Sequence, residues 1–119
     1  MAKSIPTWMQ LSEAGWQTPD TYSGAYALIP DTSGVYLLEC FKYEDYEQKL
    51  IGVCYVGQAR SLLRRLSKHE ILQKLRCEYE FYVRRWFRLV PIDKLREIER
   101  QFIKFYNPPF NILGRRRGF

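Results

Sequence analysis

The sequence predicts a small single domain of the α+β class, and three observations carry that prediction. The chain has 119 residues, enough for one hydrophobic core but not for a second domain. Residues 34–43 and 49–56 are rich in β-branched and aromatic residues and flank a polar stretch at 43–48, a pattern typical of a β-hairpin. Apolar residues with helical spacing occur on both sides of a third strand-like run at 78–90.

The helices are predicted from the same spacing. The first begins near Ser61 and runs to His69, with a further turn towards Leu75. Pro91 begins the last helix, because the N–H that proline lacks would have no partner in a first turn. The NPPFN sequence at 107–111 ends it.

The two ends of the chain have different compositions. Residues 1–29 carry several aromatic residues among turn formers, so we expect an N-terminal extension that packs on the domain. Residues 114–119 are expected to form a basic C-terminal tail. Its arginines serve either as phosphate contacts or simply as solubilising charge.

The charge of the chain favours a polyanionic partner. Lysine and arginine number 19 and the acidic residues 13, for a formal net charge of +6. Nucleic acid is the leading candidate, and an anionic membrane surface comes second. Apolar runs are short and interrupted by charge, and the first residues lack a long apolar segment, so we expect a cytoplasmic protein that does not enter membranes.

The three cysteines indicate neither a disulfide framework nor a zinc site. Cys40, Cys54 and Cys77 form no CxxC pair and are odd in number. We expect all three to be core or half-core thiols.

The stretch 52–60, GVCYVGQAR, joins a strand to a basic helix. Strand alternation predicts Val53, Tyr55 and Gly57 on one face and Cys54 and Val56 on the other. A glycine beside a tyrosine hydroxyl, immediately before arginines, indicates that something approaches the backbone closely there.

A carboxylate in the last helix is the most informative residue. The apolar arc of that helix comprises Ile92, Leu95, Ile98, Phe102, Phe105 and Tyr106, and Glu99 falls inside it. A buried carboxylate must be paired, protonated or bound to a cation. Either Arg84 or Arg85 of the third strand forms an ion pair with Glu99, or Glu99 binds a metal ion or takes part in catalysis.

The first helix carries a possible counterpart to this carboxylate. Helical spacing places Arg65 and His69 side by side on one flank. Taken alone, this flank favours an ordinary solvated basic face.

Several of these residues together resemble one nuclease family. Pro30 and Gly34-Val35-Tyr36, then Tyr55-Val56-Gly57, Arg65, Glu99-x-x-Phe-Ile-Lys and Pro109-Phe110-Asn111 occur in order over about residues 30–111. This arrangement is similar to the GIY-YIG nucleases, especially the N-terminal nuclease domain of the bacterial excision-repair endonuclease. Residues 30–113 are therefore taken as a GIY-YIG-like domain.

The resemblance implies a small three-stranded antiparallel sheet flanked by helices, and hydrolysis of DNA at a single divalent metal. Mg²⁺ is the implied cofactor, and Mn²⁺ is expected to replace it. By resemblance, Glu99 holds the metal, Arg65 meets the phosphate and Asn111 closes the site. The implied catalytic residues are Tyr36, Tyr55, Arg65, Glu99 and Asn111, and we add His69 because it is expected within a helical turn of Arg65. The expected DNA contacts are Gly57, Gln58, Arg60, Arg64, Arg115, Arg116 and Arg117.

The chemistry suits these residue types. A tyrosine can act as general base if cations lower its pKa. We assign that role to Tyr36, with His69 receiving or relaying the proton and Tyr55 positioning the phosphate. Gly57 would let the substrate approach the backbone.

The sequence also departs from the family. The 18 residues (37–54) between Tyr36 and Tyr55 make a longer hairpin than usual, and Gln58 stands where repair-type members often have lysine. Affinity for DNA would come from the basic surface, from a homodimer or from a partner protein that supplies targeting. The alternative function is a noncatalytic nucleic-acid or protein-binding module with the same fold.

Overall fold

The computed structural model describes residues 7–21 and 24–111. Strands β1 (Gly34–Glu44), β2 (Glu47–Ala59) and β3 (Tyr82–Leu89) form one antiparallel sheet in the order β2-β1-β3. The helices are α1 (Thr7–Glu13), α2 (Leu62–Ser67), α3 (Glu70–Cys77) and α4 (Leu95–Tyr106), the last preceded by a 3-10 turn at Ile92–Lys94. The predicted α+β domain with a three-stranded antiparallel sheet is confirmed.

The sheet is covered on both faces because β1 is apolar on both. Tyr36 and Leu38 belong to a core cluster that includes the leucines of α2 and α3. Val35 and Leu37 belong to a second cluster, which includes residues of α1 and α4. The central strand thus contributes alternate residues to two cores, one on each side of the sheet.

The hairpin turn is tighter than the sequence predicts. Asp45 and Tyr46 alone connect β1 to β2, and both have positive φ angles, 52° and 67°. Two such residues are typical of the type I′ turn, whose twist matches that of the flanking strands. The predicted polar loop at 43–48 is therefore too long, since four of its residues pair within the strands.

A bulge in β2 changes which side chains share a face. Leu38 pairs with Tyr55 but the next residue of β1 pairs with Val53, so Cys54 is an extra residue in β2. Tyr55 consequently lies in the same core cluster as Cys54, while Val53 packs with Val56 on the opposite face. The predicted alternation is therefore wrong for Val53 and Cys54, whereas Tyr55 and Gly57 share a face as predicted.

The described part of the N-terminal extension packs on the sheet. Leu11 and Trp16 are almost fully buried in the α4-side core. Gln17 exchanges two backbone hydrogen bonds with Phe87, so it covers part of the outer edge of β3. The Asp20 carboxylate accepts three hydrogen bonds from Arg85, which ties the segment to β3.

Three boundary and burial predictions need correction. The third strand covers Tyr82–Leu89 rather than 78–90, and Glu80 before it has a φ of 58°. Cys40 and Cys54 are buried thiols, but Cys77 is exposed because it lies on the outer side of α3. Two residues of the predicted apolar arc, Ile92 and Phe105, are exposed. Ile92 lies in the 3-10 turn before α4 and so is not part of that helix.

Within residues 7–21 and 24–111, no helix is both long enough and apolar enough to cross a membrane.

Candidate active site

Gly57 makes room for Tyr36 rather than for a substrate. The two residues are cross-strand partners, and a Cβ at position 57 would lie 2.4 Å from both Cζ and Oη of Tyr36. Gly57 is itself buried. The close approach at Gly57 is therefore explained by the phenol ring of Tyr36, and the predicted DNA contact there stays a prediction.

The predicted first helix is two helices that meet at His69. Lys68, the C-cap of α2, has φ −141° and ψ 71°, and His69 has φ −105° and ψ 125°. His69 is the N-cap of α3, where its Nδ1 accepts the backbone N–H of Ile71 at 3.0 Å. Arg65 and His69 thus belong to different helices rather than to one flank, and His69 is buried, with 3 % of its surface exposed.

The hydrogen bonds of His69 determine its tautomer. Burial, with a further contribution from Arg65, lowers the pKa of His69 to about 4, so the ring is neutral at pH 7. Because Nδ1 accepts from Ile71, the single ring proton lies on Nε2. Nε2 lies 2.5 Å from Oη of Tyr36 and therefore donates to it. The predicted role of His69 as proton acceptor is not supported by this geometry, since the nitrogen facing Tyr36 already carries a proton.

Tyr36 is the centre of the cluster. Its Oη accepts a second hydrogen bond from Nε of Arg65 at 3.3 Å. Burial, and then the neighbouring Tyr55, raise the pKa of Tyr36 well above its usual range, and Glu99 raises it further, while Arg65 opposes them. Two donors on one phenol oxygen favour the phenolate, but burial of the ring opposes ionisation more strongly.

Tyr55 lies next to Tyr36 and closer to solvent. The ring centroids are 6.2 Å apart in a stacked arrangement, and Tyr55 also makes an edge contact with His69 at 5.2 Å. Burial raises the pKa of Tyr55, with Arg65 opposing and Glu99 adding to the effect. The bulge at Cys54 is what places Tyr55 on this face.

Glu99 joins the cluster from α4. It is half-buried, and Oε1 accepts a hydrogen bond from Nε2 of Gln58 at 3.2 Å. The predicted alternative, an ion pair with an arginine of β3, is wrong because both arginines have other partners. Arg84 donates to Glu39 at 2.9 Å and Arg85 binds Asp20.

Asn111 fastens the end of the described chain to the edge of the sheet. Its Oδ1 accepts the N–H of Val56 at 2.8 Å and its Nδ2 donates to the Val56 carbonyl at 2.6 Å. β2 is an edge strand, so these backbone groups have no strand neighbour on that side. Asn111 satisfies them between Tyr55 and Gly57, where the candidate site is built.

The expected DNA contacts divide into three groups. Arg60 and Arg64 are exposed and line an open cavity of about 410 Å³ together with Arg65. Gln58 binds Glu99, so its amide orients the carboxylate. The predicted contacts at Arg115, Arg116 and Arg117, like the tail 114–119, lie outside the described residues.

Sequence reasoning missed a second buried carboxylate. Glu39, on β1, is 1 % exposed, and its Oε1 accepts from both Arg84 and the indole N–H of Trp86, each at 2.9 Å. The signal was present in the sequence as a lone acid in the apolar run LLEC. Glu39 thus has a structural role, because its buried Oε1 joins two residues of β3 to β1.

The described residues therefore bring together the side chains of Tyr36, Tyr55, Arg65 and His69, and Glu99 on α4 lies close enough to raise the pKa of both phenols. They contain no group of three or more histidine, cysteine or acidic side chains that could hold a metal ion among themselves. Any cation at this cluster would have to rely on one carboxylate.

Comparisons with known proteins returned no match: no family model, no curated protein and no solved structure is similar to this chain.

Proposed function

We propose that this protein is a metal-dependent endonuclease of the GIY-YIG type that hydrolyses DNA phosphodiester bonds. The observation that carries the proposal is the meeting of Tyr36, Tyr55, Arg65 and Glu99 in one cluster, although they come from four different elements. A carboxylate and a guanidinium beside two phenols provide a site for a cation, a phosphate and a proton acceptor. The excess of basic residues favours a polyanionic substrate.

The donor set fits a magnesium ion bound by a single carboxylate. Mg²⁺ usually keeps several waters and takes one or two carboxylates together with substrate phosphates. Glu99 is half-buried, its carboxylate accepts a hydrogen bond from Gln58, and its charge raises the pKa of both phenols. When bound, Mg²⁺ or Mn²⁺ would supply Lewis-acid stabilisation of the phosphate oxygens.

The remaining residues have separate roles in this proposal. Arg65 is half-exposed, so its guanidinium can bind a phosphate oxygen while Nε stays on Tyr36. Tyr36 is the proposed general base, and its phenolate would be stabilised by donors from Arg65 and His69. Tyr55 lies at the solvent side of the pair and positions the phosphate. His69 holds the Tyr36 oxygen rather than accepting its proton.

The proposal is tested by nicking of supercoiled plasmid DNA with Mg²⁺, with Mn²⁺ and with EDTA. We expect cleavage with either metal and none with EDTA. Glu99→Gln keeps the shape of the side chain but removes its charge, and should abolish cleavage. Glu97→Gln is the matched control, because Glu97 is an exposed residue of the same helix and should leave cleavage unchanged. Equal cleavage by Glu99→Gln and wild type would refute the assignment.

One observation favours the noncatalytic binding module as a second candidate. Tyr36 and His69 are 1 % and 3 % exposed, so very little of either side chain is open to a substrate. The raised pKa of Tyr36 also disfavours a base at neutral pH. DNA binding with unchanged plasmid in every metal would favour this second candidate.

A further inference from the structure

A pocket on the α4 side of the sheet is lined mainly by aromatic side chains. Its lining includes Trp16, Arg88, Gln101, Phe102, Phe105 and Tyr106, and its volume is about 350 Å³. We call it the aromatic pocket. It shares no residue with the candidate active site.

The aromatic pocket has a rigid floor. Trp16 is 1 % exposed, and its ring lies 4.9 Å from that of Phe102. The Arg88 guanidinium lies over both rings, at 4.8 Å and 5.4 Å from their centroids, and donates to the backbone carbonyl of Ala14. The cation is thus held over two aromatic rings at the base of the pocket.

One aromatic ring of the pocket is left unusually exposed. Phe105 is 78 % exposed and touches Tyr106 edge-on at 4.9 Å. Exposing a phenylalanine to this extent forgoes the favourable burial of its ring. The side chain is available to cover a ligand that lies in the pocket.

The surroundings of the aromatic pocket are basic. Arg100 and Lys104 are exposed on α4, and Lys104 is a helical neighbour of the lining residue Gln101, three residues before it. The neighbouring acid, Glu97, lies 3.8 Å from Lys94, so its charge is offset. A negatively charged ligand would meet a favourable potential at this end of α4.

We propose that the aromatic pocket binds an unpaired nucleobase of a nucleic-acid strand. Flat aromatic faces stack on bases of any sequence, and a guanidinium stacks in the same way or holds a phosphate. Gln101 adds an amide that can bond to a base edge. This proposal goes beyond cleavage and does not depend on it.

Binding is measured by fluorescence anisotropy in EDTA, so that cleavage plays no part. The probes are a thymidine oligonucleotide of about 12 nucleotides, within the usual range of single-strand sites, and an abasic strand with the same phosphates. Wild type should bind the base-bearing strand at least about fivefold more tightly, the lower limit for one stacked base. Phe105→Ala should remove most of that preference and leave the affinity for the abasic strand unchanged.

Tyr46→Ala is the matched control, because Tyr46 is a fully exposed aromatic residue at the hairpin turn. The Tyr46→Ala variant should keep the wild-type preference for the base-bearing strand. Equal binding of both strands by wild type, or no binding to either, overturns the proposal. A preference that survives Phe105→Ala places the stacked base elsewhere and also overturns it. If Phe105→Ala instead changes the mass in sedimentation, the aromatic pocket is a protein interface. Failure of plasmid cleavage would leave the result of this binding experiment unaffected.

Discussion

Acidification should destabilise the fold through His69, the only histidine in the chain. The ring is neutral in the folded protein with a pKa of about 4, against an ordinary value of 6.5. Between those two pH values the unfolded chain binds more protons than the folded one, so stability rises with pH across the window. The contribution is complete above about pH 6.5.

The size of the effect follows from the pKa difference. One pKa unit corresponds to about 1.4 kcal/mol, so protonating His69 in place removes about 3 kcal/mol of unfolding free energy. For a domain of this size that is a fall of about 10 °C or more in Tm. The groups that face the ring are Tyr36, Tyr55 and Arg65, and none of them supplies a negative charge at these pH values to hold the imidazolium.

Thermal unfolding followed by circular dichroism at pH steps from about 7.5 to 4 measures this effect. His69→Asn is the control, because asparagine can still cap α3 but does not titrate. Its profile should be flatter in the same window, and it should be less stable than wild type at neutral pH because the Tyr36 hydrogen bond is lost. The Cε1 proton of the single histidine reports its pKa directly by NMR. A midpoint near 6.5, or equal pH slopes for the two proteins, would refute the reasoning.

Three further predictions concern packing, the sheet edge and DNA. Gly57→Ala should cost about 1–3 kcal/mol of stability in urea unfolding, since its Cβ would overlap a phenol ring. Gly24→Ala, which has open space, should be neutral, and equal costs would contradict the packing argument. Asn111→Ala should cost about 2 kcal/mol by exposing two backbone groups of β2, and should accelerate hydrogen exchange at the amide it binds. Unchanged exchange would show that another group covers the edge. Replacing Arg60 and Arg64 with glutamine should reduce the slope of log affinity for DNA against log salt by about 2, one unit for each phosphate contact. An unchanged slope would mean that neither arginine meets a phosphate.

The sheet was predictable from the sequence, but its local irregularities were not. Period-2 patterns identify strands, and the paired runs identified the hairpin. The bulge at Cys54 leaves no mark in the pattern, because the residues on both faces there are apolar. The break at His69 was equally hidden, since histidine is not among the usual N-cap residues. Both irregularities decide which side chains reach the candidate site.

The sequence predicted which residues form the candidate site, but not which residues each of them contacts. The reasoning that singled out Glu99 was that a carboxylate among apolar residues needs a partner. The same reasoning applies more strongly to Glu39, because it is the more deeply buried acid and forms the ion pair with Arg84. Arg85 is occupied by Asp20, a residue of the extension for which the sequence offered no role. Pairings of this kind depend on which strands are neighbours, and one sequence does not fix that order.

The stability of the fold and the proposed chemistry depend on the same oxygen atom, Oη of Tyr36. Two donors, from His69 and Arg65, converge on it, so its own proton must point in a third direction. The Glu99 carboxylate raises the pKa of Tyr36, so a cation that neutralises Glu99 would lower that pKa. A cation at Glu99 and a base at Tyr36 are therefore linked electrostatically: occupancy of the first would favour ionisation of the second. Burial of the ring raises that pKa more than Glu99 does, so under the proposed mechanism a cation at Glu99 would assist the ionisation of Tyr36 but would not suffice for it.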